Sequence, residues 1–322
     1  MRSSILPVVA FLLAAGTAIA CQVPVFRYAF EQWSPDQYHV LILTDSDKKK
    51  LDTLVDELGL GKELSKRANV EMEVVTPDTS PTAARLWKKH NIDGEPIAVT
   101  FFPSRAKGIG GSVAHVGPAS PDGLKGIVDS KVRREVSKRL VQGESAVWIL
   151  LESGDQKKDD EARAILEKQL AEDAKWLELP APQEMEIKPE VLDKVKVKLR
   201  VDFSIISLSA DDPDEQFLVN ALLNSEEDLR QFDEPIAFPI FGRGLVLYAL
   251  VGKGIASDNI RGASKFICGP CSCQVKEQNP GFDMLMQHDW DVAVGDVKIS
   301  SPLPTSSSVP ELVPIPSGRA SR

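Results

Sequence analysis

Three thiols fall within six residues at Cys268-Gly269-Pro270-Cys271-Ser272-Cys273. Thiols so spaced can close a short-loop disulfide, exchange electrons as a dithiol, or hold a soft metal ion. A disulfide would tie the C-terminal segment down. A redox pair would use Cys268 and Cys271, with Cys273 as the resolving thiol. Three thiolates would suit Cu(I) or, with His288, a zinc ion. The four histidines, His39, His90, His115 and His288, fall in no HExxH or other metal-ligand pair. There is no Gly-x-Ser-x-Gly nucleophile elbow. Gly108-Ile109-Gly110-Gly111 is a loop without the Gly-Lys-Ser/Thr that would make it a phosphate cradle. The acidic run Asp211-Asp212-Pro213-Asp214-Glu215 lacks EF-hand spacing and reads as a solvated helix cap.

These groups sit in a chain of 322 residues with 38 Lys+Arg against 47 Asp+Glu, a net charge of −9. That length suits two domains, and 43% apolar with 26% charged residues is ordinary for a globular protein. An acidic chain without a basic stripe argues against a nucleic-acid surface. Residues 1–20 read as an export signal. Arg2 is its positive end, residues 5–15 its apolar stretch, and Ala18-Ile19-Ala20 its cleavage site. Ala-Ile-Ala-Cys also resembles a bacterial lipobox, in which Cys21 would be acylated and become the mature N-terminus; plain secretion is the alternative. Either way the expected location is extracytoplasmic, as a membrane-anchored lipoprotein or a periplasmic or secreted protein. Membrane contact is then expected through the lipid anchor only.

The periodicity predicts two copies of one element order after a lead-in at 21–35. In the first, at 36–142, a strand over 38–44 runs into Asp45-Ser46-Asp47 and a helix over 48–58. A strand over 70–76 and a helix over 82–90 follow. Gly94-Glu95-Pro96 then introduces a strand over 97–102, a Gly-rich turn, a strand over 112–116 and a closing helix from Ser120 through Leu140. The second copy, 145–268, has a strand over 146–151, a charged helix over 159–178, a Pro-rich insertion near 179–190, a strand over 198–208 and a helix over 215–223. Asp233-Glu234-Pro235 introduces its last pair of strands, 236–241 and 245–251, and a helix over 258–267 closes it. Residues 269–295 form a Cys-containing segment whose Phe282-to-Trp290 stretch either packs on the second domain or binds a partner. Residues 296–322 read as a disordered tail.

Each half resembles a thioredoxin-like domain. The resemblance is carried most specifically by Pro235-Ile236-Ala237-Phe238-Pro239-Ile240-Phe241-Gly242-Arg243-Gly244 through Val251-Gly252, and again by Pro96 through Val116-Gly117. It implies an α/β fold of two tandem domains, each a central mixed sheet flanked by helices, with cis bonds at Pro96 and Pro235. Cys21 through Ala29 and the Gly269-to-Cys273 stretch also look like a group of exported planctomycete-type bacterial proteins, a likeness that implies no activity.

Thioredoxin chemistry places a Cys-x-x-Cys at the N-terminus of the first helix, where the helix end stabilises the thiolate. Here those positions read Asp45-Ser46-Asp47-Lys48 and Gly154-Asp155-Gln156-Lys157, without cysteine. The four-residue string of thioredoxin itself, Cys-Gly-Pro-Cys, follows the closing helix of the second copy, where this activation is missing. The resemblance therefore implies a redox-inactive interaction or scaffold protein of the bacterial envelope that needs no cofactor. It would meet a protein or extended-peptide client beside Pro96 and Pro235, on the neighbouring backbone of Glu95 and Glu234. The alternatives from the C-terminal cysteines are a noncanonical thiol-disulfide oxidoreductase and a thiolate metal-binding protein.

Overall fold

The computed structural model describes residues 22–301 except 92, 186 and 272–274. The export segment, Cys21, Cys273 and the chain from 302 onward lie outside the described residues. The lead-in forms a short helix α1 (Val25–Gln32) that follows Pro24 and is buried along nearly its whole length.

The first domain follows the expected order. Strand β1 (Tyr38–Leu43) leads to α2 (Lys48–Glu57), whose N-terminus is capped by the Asp47 carboxylate accepting from Lys50 N. Then come β2 (Val70–Val75), α3 (Pro81–His90), β3 (Ile97–Phe101) and β4 (Val113–Pro118). The sheet runs β2-β1-β3-β4, with β1 parallel to β2 and β3 antiparallel to both of its neighbours. The expected closing helix is two helices, α4 (Pro121–Val128) and α5 (Lys131–Val141), broken by extended backbone at Asp129 and Ser130. The break turns α5 so that Arg133 enters the interior. Its guanidinium donates to Ile127 O at 2.7 Å and to Gly126 O, taking up carbonyls at the end of α4.

The second domain repeats the plan with β5 (Ala146–Glu152), α6 (Gln156–Trp176), α7 (Pro189–Lys194), β6 (Phe203–Ser209) and α8 (Gln216–Leu223). Strands β7 (Ile236–Phe241), β8 (Leu245–Val246) and β9 (Leu250–Val251) lead to the closing helix α9 (Ser257–Cys268). Again one parallel pair, β5 with β6, adjoins an antiparallel run through β7 to β8. The strand expected over 245–251 is split opposite Pro239, which has no N–H to give the ladder and receives only Leu247 N, at 3.0 Å. The insertion is not a detached loop, since Met185 and Ile187 are buried in the second core.

Two corrections concern the prolines and the tail. The described residues contain no cis peptide bond, so Pro96 and Pro235 are both trans. Each enters its strand in the ordinary lower-energy isomer, at a strand start where a missing N–H costs nothing. The beginning of the expected disordered tail is packed. Ile299 and Ser300 are buried, and the Glu31 carboxylate accepts from Ile299 N at 2.9 Å, Ser300 N at 2.7 Å and Ser300 Oγ at 2.6 Å. Arg27 completes this buried cluster, at 2.7 Å from Glu31 and 2.6 Å from Val197 O.

The C-terminal segment packs on both domains. Its strand β10 (Phe282–Asp283) extends the second sheet beside β8, and its helix α10 (Trp290–Val294) sets Trp290 edge-on to Phe30. Between them Asn69 of the first domain accepts from Met286 N at 2.8 Å and donates to Met284 O, while Tyr38 Oη donates to Asp283 O at 2.7 Å. Helix α8 docks on β4 and α4, and one hydrophobic cluster runs through both sheets. At this junction Arg133 lies 4.8 Å over the Phe217 ring, and Glu215 accepts from Val132 N at 2.7 Å.

Candidate functional site

The loops that would carry thioredoxin chemistry end on the helix N-termini of the two domains. In the first, Thr44 and Ser46 hydroxyls are 2.9 Å apart and Asp47 caps α2. Beside them opens a cavity of about 810 Å³ between α2 and the ends of β3 and β4. Leu51 and Leu54 of α2 face Pro96, Pro118 and Ala119 across it, and Asp47, Lys50, Glu57 and Glu95 stand at its edges. The wall at Pro96 is fixed by Ala119 N donating to Pro96 O at 2.9 Å. The Glu95 carbonyl is taken by Asn91 Nδ2, whose amide oxygen also accepts from Gly94 N, so the backbone beside Pro96 is held by its own loop.

The second domain is built from the same parts, arranged differently. Asp155 caps α6 by accepting from Lys157 N and Lys158 N at 3.0 and 3.2 Å. Buried Asp159 fastens the preceding loop, accepting from Ser153 N, Ser153 Oγ and Gly154 N. Gly252 N donates to Pro235 O at 2.8 Å, the counterpart of the Ala119–Pro96 bond. Here, however, Lys158 reaches across and donates to Glu234 Oε1 and Asp233 O, both at 2.9 Å. The bond to Glu234 raises the Lys158 pKa. Glu234 also covers Gly252, whose φ of +48° and whose missing Cβ (3.1 Å from the Glu234 stem) both suit glycine. Lys50 and Glu95 hold the corresponding places in the first domain. Among the described residues no ion pair joins those two.

Of the residues singled out in the sequence, Pro96 and Glu95 border the cavity, whereas Pro235 is buried and Glu234 is tied to Lys158. The cysteines are elsewhere. Cys268 is the last residue of α9, a buried free thiol. Burial pushes its pKa up to about 12, against a hydrogen bond from Ser145 that lowers it, with Asp173 raising it further. At neutral pH such a thiol stays protonated and is a poor nucleophile. A helix C-terminus is also the end that disfavours an anion. Cys271 is buried beside it, with its N–H donated to Val23 O at 2.9 Å. His288 stacks on Trp290 at 4.6 Å on the interdomain segment. No group of three or more His, Cys, Asp or Glu side chains able to hold a metal occurs among the described residues. Of the other histidines, His39 is exposed at 3.9 Å from Glu71. Burial, then Lys89, lowers the His90 pKa. His115 lies edge-on to Phe217 at 5.5 Å, and burial, then Arg133 and Arg230, brings its pKa down to about 4.

Leu54 was legible in the sequence as part of the apolar face of this helix, whereas the acidic rim residue Glu57 was not singled out. Its place follows from the spacing of α2, since it lies three residues, about one turn, beyond Leu54.

No family model and no curated protein matches the chain. Among solved structures it is similar to the first two thioredoxin domains of Naumovozyma dairenensis Eps1p. Identity is 14% over 72% of this chain and 90% of that one, with a TM-score of 0.21. What marks the fold here is the strand order and direction of the two sheets, each with a parallel pair, an antiparallel third strand and a closing helix. Each half is a mixed sheet flanked by helices, as the sequence led one to expect.

Proposed function

We propose that the protein is an exported, redox-inactive binding module, anchored by a lipid on Cys21 in a bacterial envelope. Its first-domain cleft holds an extended segment of a client protein that presents an apolar side chain flanked by Lys or Arg. The observation that carries this reading is the open cleft of about 810 Å³, floored by Leu51, Leu54, Pro96 and Pro118. Three carboxylates, Asp47, Glu57 and Glu95, border it against one ammonium, Lys50, so a basic flank gains more than an acidic one. No cysteine occurs anywhere in residues 36–142, so the cleft offers binding without thiol exchange. Export and anchoring are supported by the sequence around Ala18-Ile19-Ala20-Cys21.

The test is a panel of fluorescein-labelled peptides with one apolar core and either Lys/Arg or Glu flanks, titrated by anisotropy. Basic flanks should bind more tightly. Leu54→Asp should weaken that binding by at least tenfold, about 1.4 kcal/mol. Equal affinity for both flanks, or indifference to Leu54→Asp in a folded protein, sinks the proposal.

A further inference from the structure

We infer that the end of the second domain carrying Trp176, Lys175 and Lys265 rests against an anionic lipid surface. The inference rests on the export and anchoring reading above and adds an orientation to it. The N-terminal segment is zipped to the end of α9: Val25 N donates to Gly269 O, and Cys271 N to Val23 O, both at 2.9 Å, around a Pro24–Pro270 bridge. Helix α1 behind it is buried. Only Gln22 stands between Cys21 and this fixed segment, and one extended residue spans about 3.5 Å. A lipid on Cys21 would thus hold the body directly on the bilayer, with this end down and no slack.

That end is built for such a place. Gly269, which holds Val25, donates its own N–H to Lys265 O at 2.8 Å, one turn back on α9. The Lys265 ammonium lies 5.0 Å over the ring of Trp176, and the Arg261 guanidinium 5.8 Å from it. Trp176 is 57% exposed, whereas Trp33, Trp148 and Trp290 are buried. A tryptophan at a domain end, flanked by lysines, is what the headgroup region of a membrane selects. Arg261 is already paired with Asp173 at 3.1 Å and Glu172 at 3.5 Å, so the charge offered to headgroups is that of exposed Lys175 and Lys265. With exposed Glu172 and Glu178 close by in sequence, the patch is a weak second signal that acts together with an acyl chain. Helix α6, with 21 residues, is about 30 Å long, which sets its capped end at Asp155 that far from the bilayer.

The experiment reconstitutes the exported full chain in vesicles of phosphatidylcholine and phosphatidylglycerol with brominated acyl chains, at low salt. The readouts are intact mass for the acyl group and quenching of tryptophan fluorescence. The expected result is quenching that is lost in Trp176→Phe, and Lys175→Glu/Lys265→Glu should reduce it by at least half. An acylated, vesicle-bound protein with no quenching attributable to Trp176 overturns the inference while leaving the anchor reading intact. If the mass shows no acyl group, the anchor reading falls. The same quenching at high vesicle concentration then decides the surface: its loss in Trp176→Phe supports the contact, and its absence overturns it.

Discussion

The two domains carry the same lysine and glutamate beside the same proline, yet one pair is closed and the other open. In the second domain Lys158 and Glu234 meet at 2.9 Å over Pro235, and in the first Lys50 and Glu95 border a cavity instead. The core of the second domain also receives α1, the insertion and Ile299. The first receives none of these at its cleft. On the function proposed above, the second copy serves as frame and the first as receptor. Substitutions in the frame should therefore cost stability, and substitutions in the cleft should cost binding.

The largest effect expected is in the frame. Glu31→Ala removes the acceptor of three hydrogen bonds and leaves the Arg27 charge buried without its partner, a loss of about 3–5 kcal/mol. Urea unfolding measures it, and a loss below about 1 kcal/mol would show that the clasp is no part of the frame.

Acid should loosen the junction between the copies next. His115 is held neutral, with its folded pKa near 4 below its unfolded 6.5, so the unfolded chain binds the extra proton between those values. The stabilisation is complete above pH 6.5 and is lost as pH falls towards 4, at most about 3 kcal/mol. Asp283 works in the opposite sense. Burial, against the attraction of Lys276, raises its pKa to about 6, so in the folded state protonation is favoured below that pH. His115→Gln should flatten the acid loss, and Asp283→Asn should steepen it. Chemical denaturation at pH 4.5, 5.5 and 7 separates the two, and identical pH profiles for all three proteins would refute both assignments.

Asp159→Ala in the second domain unties the loop before α6 and should cost about 1–3 kcal/mol. Glu95→Lys in the first, at an exposed rim position, should leave the urea midpoint nearly unchanged while weakening binding of the basic-flanked peptide. A cleft variant that unfolds the protein as readily as Asp159→Ala would erase the division between frame and receptor.

The smallest effect sharpens the comparison most. Lys158→Ala should leave stability unchanged, because an exposed ion pair contributes little. It should also raise the peptide stoichiometry from one to two by freeing the second cleft. Calorimetric titration reads this directly, and a stoichiometry that stays at one means that more than the ion pair shuts that cleft.

Much of the frame was legible because it is local. Asp47 and Asp155 announce helix starts, and the prolines at 96 and 235 announce strand starts. What escaped depends on partners far along the chain. Arg133 reads as a surface residue of an amphipathic helix, and only the break at Ser130 and the presence of Leu285 make it an interior one. Ile299 and Ser300 sit in a Ser/Pro-rich stretch and become ordered because Glu31, some 270 residues earlier, offers its carboxylate. At the site, Pro96 and Glu95 beside the cleft were visible. Its open or shut state was not, because Lys50 and Lys158 stand in like surroundings in the sequence and differ only in where their ammonium groups go.

The clasp between Glu31 and Ser300 also dictates an order of events. Residues 25–31 leave the ribosome among the first of the folded body, yet their partners at 197, 269–271 and 299–300 are made much later. The first helix therefore waits for residues some 270 positions further on before the second core can seal around it. Contacts of such long sequence separation are slow to form.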